Sequence, residues 1–299
     1  MNGLSILDIL ACPLCGEKMI RSGGSLVCPS RHTFDVAKAG YVNLLPPGKG
    51  KNAHTGDEKP MVRARADFLA CGHYARISSH LAELIAENLT PRDISFCDMG
   101  SGEGYHTCNA AATLSGLTSK NVLAFGADAS KYGAECASKL ARLKGLMPSG
   151  GIGAECDGKT QAYFAPANIF HLPVADGVLD ACISMFAPIA WDETRRVLKN
   201  GGVLGVVSSA RDHLIEMRRI IYDDVREADF SPSAEDGFEM LCEDVLTYPI
   251  HLSSNKEIRD LFVMTPFYFR TAEDGRERLF SHDELDLTVS VRYTLFRKI

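Results

Sequence analysis

At 299 residues, with 45% hydrophobic and 23% charged positions, the chain has an ordinary globular composition and room for one large domain and a small one. No apolar run approaches the roughly 20 residues of a membrane-spanning helix, and Met1–Leu10 lacks a basic segment followed by a small-residue cleavage site, so a cytoplasmic location is expected. The net charge of −6 argues against a uniformly basic nucleic-acid binder, yet residues 1–76 hold ten Lys or Arg against six acids while the remainder carries −10; a polyanion contacted mainly from one end and a merely solvated basic face fit this equally.

The first segment, residues 1–43, is too small to fold on an apolar core alone. It carries Cys12-Pro-Leu-Cys15, then twelve residues, then Cys28-Pro-Ser-Arg-His32. Two residues between cysteines let one tight turn direct both thiols inward, and two such turns close a tetrahedral sphere with no position left for water. Three thiolates and an imidazole select zinc, in a structural rather than catalytic role. The other seven cysteines are scattered singly and read as buried small hydrophobes.

Residues 44–76 read as a linker and connecting helix. Leu44–Pro60, rich in Pro, Gly and Lys, suggests a mobile connection, and Met61–Ala70 a helix stopping at Gly72. A main domain then runs over 77–299. Ile77, Leu81, Leu84, Ile85 and Leu89 share one helical face. Short apolar runs follow at Ser95–Met99, Val122–Ala127, Ala181–Met185 and Val203–Ser208, separated by helical stretches, which predicts a doubly wound α/β fold with a parallel sheet. Lys144–Gln161 is glycine-rich and is expected to be an inserted surface loop. Asp192 should cap a short helix closing on Gly201 and Gly202. Ser254 with Glu257 forms a capping box. The alternation at Leu285, Leu287, Val289 and Val291 predicts an edge-proximal antiparallel strand.

Asp98-Met-Gly-Ser-Gly-Glu-Gly-Tyr105 lies between an apolar strand and a helix, where a glycine turn lets backbone approach a ligand. The register Gly100, Gly102, Gly104 places Tyr105 where a dinucleotide fingerprint wants its last glycine, and Asp98 opposes a pyrophosphate but suits the cationic ammonium of S-adenosylmethionine. Asp128, 24 residues beyond Gly104 at the end of the next strand, is placed to take the ribose hydroxyls, and Asn168 to lie beside the adenine. Each feature alone is more often structural; in order on one sheet they point to S-adenosylmethionine. Met185-Phe186-Ala187-Pro188, after a strand at the same end of the sheet, is a candidate wall for an extruded base, or ordinary core.

CPLCG, CPSRHTFDVAKAGYVNLLP (Cys28 to Pro46), ADFLACGHY (Ala66 to Tyr74), DMGSGEGYHT and MTPF (Met264 to Phe267) together resemble the bacterial 23S ribosomal RNA guanine-N1 methyltransferase family, over most of the chain. The resemblance implies a Rossmann-like class I methyltransferase sheet behind a small N-terminal zinc-binding module. It implies methylation of N1 of one guanine in a 23S rRNA hairpin, sometimes linked to macrolide resistance, and a tendency to form homodimers. It further implies cofactor contacts from Tyr74, from the Gly100, Ser101, Gly102, Glu103, Gly104 loop, and from His213, which read alone is a satisfied histidine at a helix start. Ser101 stands where the family often has Cys, and Lys144–Gln161 is an unusual insertion. No residue is singled out as proton acceptor. Competing readings are a small-molecule methyltransferase with zinc as a staple, and a non-enzymatic ribosome-binding protein.

Overall fold

A computed structural model describes residues 4–46, 56–90, 92–225 and 230–299. Most of the stretch expected to be a mobile connection, residues 47–55, lies outside these. The N-terminal part has a one-turn helix α1 (Ile6–Ile9), whose first turn is capped by Ser5 Oγ accepting from Leu7 N, and an antiparallel sheet of β1 (Ile20–Ser22), β2 (Ser25–Val27) and β3 (Thr33–Asp35). Its few apolar side chains, Ile6, Ile9, Leu10, Met19 and Leu26, are buried, and they continue the main core. Backbone bonds join the two parts: Ala11 N donates to Pro173 O, Ala175 N to Ile9 O and Leu44 N to Pro166 O, each at 2.9 Å.

Helices α2 (Lys59–Ala70) and α3 (Ala75–Asn88) lead to the main sheet, built from β4 (Ile94–Met99), β5 (Val122–Asp128), β6 (Thr160–Pro166), β7 (Leu179–Met185), β8 (Leu198–Ser209), β9 (Phe238–Leu252) and β10 (Leu285–Lys298). Between them run α4 (Tyr105–Thr118), α5 (Lys131–Leu143), α6 (Trp191–Val197), α7 (Ile215–Ile221), α8 (Asn255–Met264), α9 (Phe267–Arg270) and α10 (Glu273–Phe280). The strand order is β6-β5-β4-β7-β8-β10-β9, with β4 to β8 parallel and β10 antiparallel to both β8 and β9. This is a class I methyltransferase sheet. The chain winds outward from β4, then crosses back to β7, so a crevice opens at the carboxyl ends of β4 and β7. Strands β4 and β7 are buried at every position, as continuous apolar runs between helical layers must be.

The four apolar runs lie in β4, β5, β7 and β8, and the alternating C-terminal run is the penultimate strand of the sheet. Ser254 caps α8 by accepting from Glu257 N at 3.3 Å. Two expectations need correction, and two strands went unread. Helix α6 begins after Ala190 and stops at Val197, because Leu198–Ser209 pairs with β7 and β10; Asp192 lies in the first turn, paired to Arg195 at 2.8 Å, and Gly201 and Gly202 lie within β8. Strands β6 and β9 carry no clear sequence signal: β6 ends in proline, and β9 is an acidic edge strand with many exposed positions.

The second correction concerns Lys144–Gln161, a loop exposed on one side but packed on the other. Its last two residues enter β6, and Leu146, Met147 and Ile152 are buried. The segment is the seat of the N-terminal module. Ile152 N donates to Gly40 O at 2.9 Å, the Arg21 guanidinium donates to Ile152 O and Gly150 O, and Arg142 donates to Lys38 O at 2.8 Å and Ser149 O at 2.7 Å. Gly151 sits at φ +76°, where a Cβ would come within 2.6 Å of the Gly40 backbone, so two glycines permit the contact. Ile152→Ala is therefore expected to lower stability by about 2–5 kcal/mol in denaturant unfolding. A solvated loop would change by less than roughly 0.5 kcal/mol, and that result would refute the docking.

Candidate functional site: a zinc knuckle pair and a cofactor crevice

The metal ligands sit on two tight turns. In the first, Cys12 N donates to Glu17 O and Gly16 N to Cys12 O, both at 2.8 Å; in the second, Cys28 N donates to His32 O at 3.1 Å and Arg31 N to Cys28 O at 2.8 Å. Gly16 and Arg31 take positive φ, +74° and +65°, to turn the chain back. Glu17 joins the turns, accepting from Ser30 N at 3.1 Å and Ser30 Oγ at 2.6 Å. Cys12 Sγ and Cys28 Sγ lie 3.5 and 3.4 Å from His32 Nδ1, Cys15 Sγ lies 3.6 Å from Cys28 Sγ, and all four ligand atoms fall within 4.8 Å of one another. A tetrahedron of zinc–ligand bonds near 2.1–2.3 Å has edges of roughly 3.5–3.8 Å. The four atoms stand at zinc-ligand spacing with no fifth position, the arrangement of a structural metal.

The second site is built on the loop from β4 to α4. Gly104 is the N-cap of α4 at φ +81°, and a Cβ there would meet Ala137 Cβ at 2.6 Å and Phe164 at 2.8 Å. Asp98, 2% exposed, accepts from Thr107 Oγ1 through one oxygen; the other is buried without a partner among the described residues. Glu103 Oε2 and the Tyr74 hydroxyl are buried and unpartnered in the same sense. Each such atom costs about 1–3 kcal/mol unless something fills the place beside it. Burial pushes both carboxyls up to about 7, against the Thr107 hydrogen bond at Asp98 and the Arg65 charge at Glu103. Two buried acids with free oxygens beside a glycine turn suit a cationic amino-acid group.

Asp128 ends β5 with both oxygens engaged: Oδ2 accepts from Gly102 N at 2.9 Å and Oδ1 from Ser130 N at 2.7 Å. It ties the glycine loop to the start of α5. Asn168 lies beside that strand end, where Ala167 N donates to Asp128 O at 2.9 Å, but its own Oδ1 accepts from Phe170 N in a local turn. The rings of Tyr74 and Phe186 each lie 6.1 Å from His213, the latter stacked at 24°. Phe186 is half-exposed and left-handed at φ +54°, a conformation that costs about 1–3 kcal/mol and clusters at ligand sites. Its neighbour Ala187 stands 2.7 Å from where a Cβ on Gly100 would be. The predicted wall thus joins the glycine loop. His213 lies in a turn before α7, its Nδ1 accepting from Ser290 N at 3.3 Å, and burial with the Arg218 charge pushes its pKa down to about 4. It is a neutral imidazole.

A family model described as "RlmA, N-terminal", a zinc ribbon, matches residues 10–52. A Micromonospora griseorubida protein named "Putative 23S rRNA (guanine-N(1)-)-methyltransferase" is 30% identical over 287 residues, 89% of this chain and 88% of its own. Bacillus subtilis (strain 168) YxjB, under the same name, is 31% identical over 294 residues, 95% of each chain. The 23S rRNA (guanine(748)-N(1))-methyltransferase of Streptomyces fradiae is 33% identical over 216 residues, 71% of this chain and 68% of its own. The chain belongs to the 23S rRNA guanine-N1 methyltransferase family.

In this family member two site residues escaped the sequence reading. Arg65 projects from α2 toward the glycine loop, 2.5 Å from Asp57 and 3.7 Å from Glu103. Asp57 is held in turn by its backbone oxygen, which accepts from Ser130 Oγ at 2.7 Å. The run RARADFL offers an arginine at helical spacing, but nothing in it tells a half-buried, site-facing arginine from an exposed one.

Proposed function

We propose that the chain transfers a methyl group from S-adenosylmethionine to N1 of one guanine in a hairpin loop of 23S rRNA. The observation that carries this reading is the pair of buried carboxyl oxygens of Asp98 and Glu103 that accept no hydrogen bond among the described residues, at the end of β4 and on the glycine loop of a class I sheet. In it, residues 1–43 form the zinc module, 44–76 the connection and 77–299 the methyltransferase domain. Tyr74, Asp98, the Gly100–Gly104 loop with Ser101 and Glu103, Asp128, Asn168 and His213 line the cofactor site. When bound, S-adenosylmethionine supplies an electrophilic methyl on a sulfonium.

The protein's part is mainly positioning and exclusion of water. Phe186, half-exposed at the mouth of the crevice, offers a face for a base lifted from an unpaired loop. His213 Nδ1 is occupied by the Ser290 amide, so that nitrogen is not the acceptor of the guanine N1 proton. Residues 1–76, with ten Lys or Arg against six acids, extend the surface offered to RNA, and a homodimer is part of the proposal. Among the described residues no helix is long and apolar enough to cross a membrane, and an rRNA-modifying protein works in the cytoplasm.

The test is transfer of labelled methyl to purified unmodified 23S rRNA, followed by mapping of the modified nucleotide. Incorporation at guanine N1 is expected; none in any RNA, with zinc content and cofactor binding intact, overturns the reading. The carboxyls also set a pH dependence. Asp98 and Glu103 are pushed up to about 7 in the free protein, so near pH 6 both are largely protonated and must release a proton to pair with an ammonium. S-adenosylhomocysteine affinity should therefore rise with pH through 7, by about tenfold between pH 6 and 8 for each carboxyl that must ionise. Calorimetric titration across this range checks it; a flat profile would remove both carboxyls from the ammonium site.

A further inference from the structure

We infer that Arg65 receives the α-carboxylate of the methionyl group, so that the cofactor's amino-acid end is read as a zwitterion, with ammonium toward Asp98 and Glu103 and carboxylate toward α2. The inference rests on the proposed cofactor site and assigns it a residue outside the methyltransferase sheet. Three acids stand about the loop: Asp98 and Glu103, both buried, and Asp128, half-buried at the end of β5. A carboxylate entering there needs a cation. Among the described residues, the positive charge felt in common by Glu103, Asp128 and the buried His106 is that of Arg65.

The geometry leaves Arg65 capacity for a ligand. Its side chain is 22% exposed; Nη2 holds Asp57 at 2.5 Å, while Nη1 forms a long ion pair with Glu103 Oε2 at 3.7 Å, beyond hydrogen-bond reach of an oxygen that accepts no hydrogen bond among the described residues. A guanidinium carries five N–H donors in a planar fork matched to a carboxylate. The place between Arg65 and the loop is kept clear by Gly102, where a Cβ would come within 3.3 Å of Nη1. Asp57 aims the arginine: Ser130 Oγ holds its carbonyl, and Gly56 packs against the Ser130 backbone, where a Cβ would meet Ser130 N at 2.5 Å. The start of α2 is thus pinned to the start of α5, directly above the loop that Asp128 ties down. The connecting helix closes the cofactor site with a charge the sheet does not provide.

A merely structural Arg65, balancing Asp57 and Glu103, is the alternative, and ligand chemistry separates the two. S-adenosylhomocysteine has the amino-acid end; 5′-methylthioadenosine has the same nucleoside without it. Full-length zinc-loaded protein, wild type, Arg65→Gln and Arg65→Lys, is titrated with each by calorimetry. Arg65→Gln should weaken S-adenosylhomocysteine by roughly 10- to 100-fold and 5′-methylthioadenosine by less than about threefold, with Arg65→Lys recovering part of the loss. Unchanged S-adenosylhomocysteine affinity, or equal loss for both ligands, overturns the assignment while leaving the cofactor site in place. If Arg65→Gln does not fold, Arg65→Lys carries the comparison, since a point charge in place of the fork still weakens only the amino-acid ligand. Wild type that binds neither ligand overturns the assignment and the methyltransferase reading together.

Discussion

Replacing Cys28 with serine is expected to release the zinc and to lower the melting temperature of the whole chain by more than about 10 °C, in a single transition. A hydroxyl does not replace a thiolate in a closed sphere of three sulfurs and one imidazole. Cys28 is buried within the continuous core, so the ligand turn is also a packing element. The apolar side chains of the module are too few to hold it without metal. Its unfolding would strip the Gly40 contact from Ile152, the Arg21 contacts from residues 150 and 152, and the backbone bonds at Pro166 and Pro173. Pro166 ends the strand beside Asp128, so the loss reaches the sheet at its ligand-binding end. Metal analysis and a calorimetric scan test this together. Stoichiometric zinc in the variant would refute the ligand set; a separate low-temperature transition with the main melt unmoved would refute the rigid docking.

What the sequence disclosed follows the range of the forces involved. Each zinc turn is a local device, so Cys12, Cys15, Cys28 and His32 were legible from spacing. The Asp98 loop was legible for the same reason, as were parallel strands such as Val122–Ala127, whose burial on both faces demands an unbroken apolar run. Strand β9 was not, because an edge strand with one wet side has no such demand. The helix at Asp192 is one turn shorter than its sequence suggests, because pairing of Leu198 with Leu179 overrides a propensity that would have continued it. Lys144–Gln161 reads as a free surface loop for a related reason: glycines that mark a loop also mark a place where two backbones touch, and only the partner, Gly40, distinguishes them. Tyr74 and His213 entered through family resemblance alone. Their meeting with Phe186 depends on three separate elements returning to one end of the sheet.

Asp128→Ala is expected to weaken S-adenosylhomocysteine by at least about 100-fold and, unlike Arg65→Gln, to weaken 5′-methylthioadenosine equally. The carboxylate accepts from Gly102 N and Ser130 N, and hydrogen bonds to a charged acceptor contribute about 1.5–3 kcal/mol each. Their loss frees the glycine loop from α5, so the ribose contact proposed for Asp128 and the backbone that surrounds it go together. Stability should fall less than two such bonds imply, because burial already pushes the Asp128 carboxyl up from its ordinary range, and alanine also removes a buried charge. Affinity and stability therefore separate, and the separation is the test. Asp128→Asn sharpens it: the amide keeps the shape but offers one acceptor atom and turns a donor toward the other N–H. If the site needs only a polar group of that size, asparagine rescues; if it needs two acceptors at the end of β5, asparagine binds both ligands as weakly as alanine, and that is the expected result.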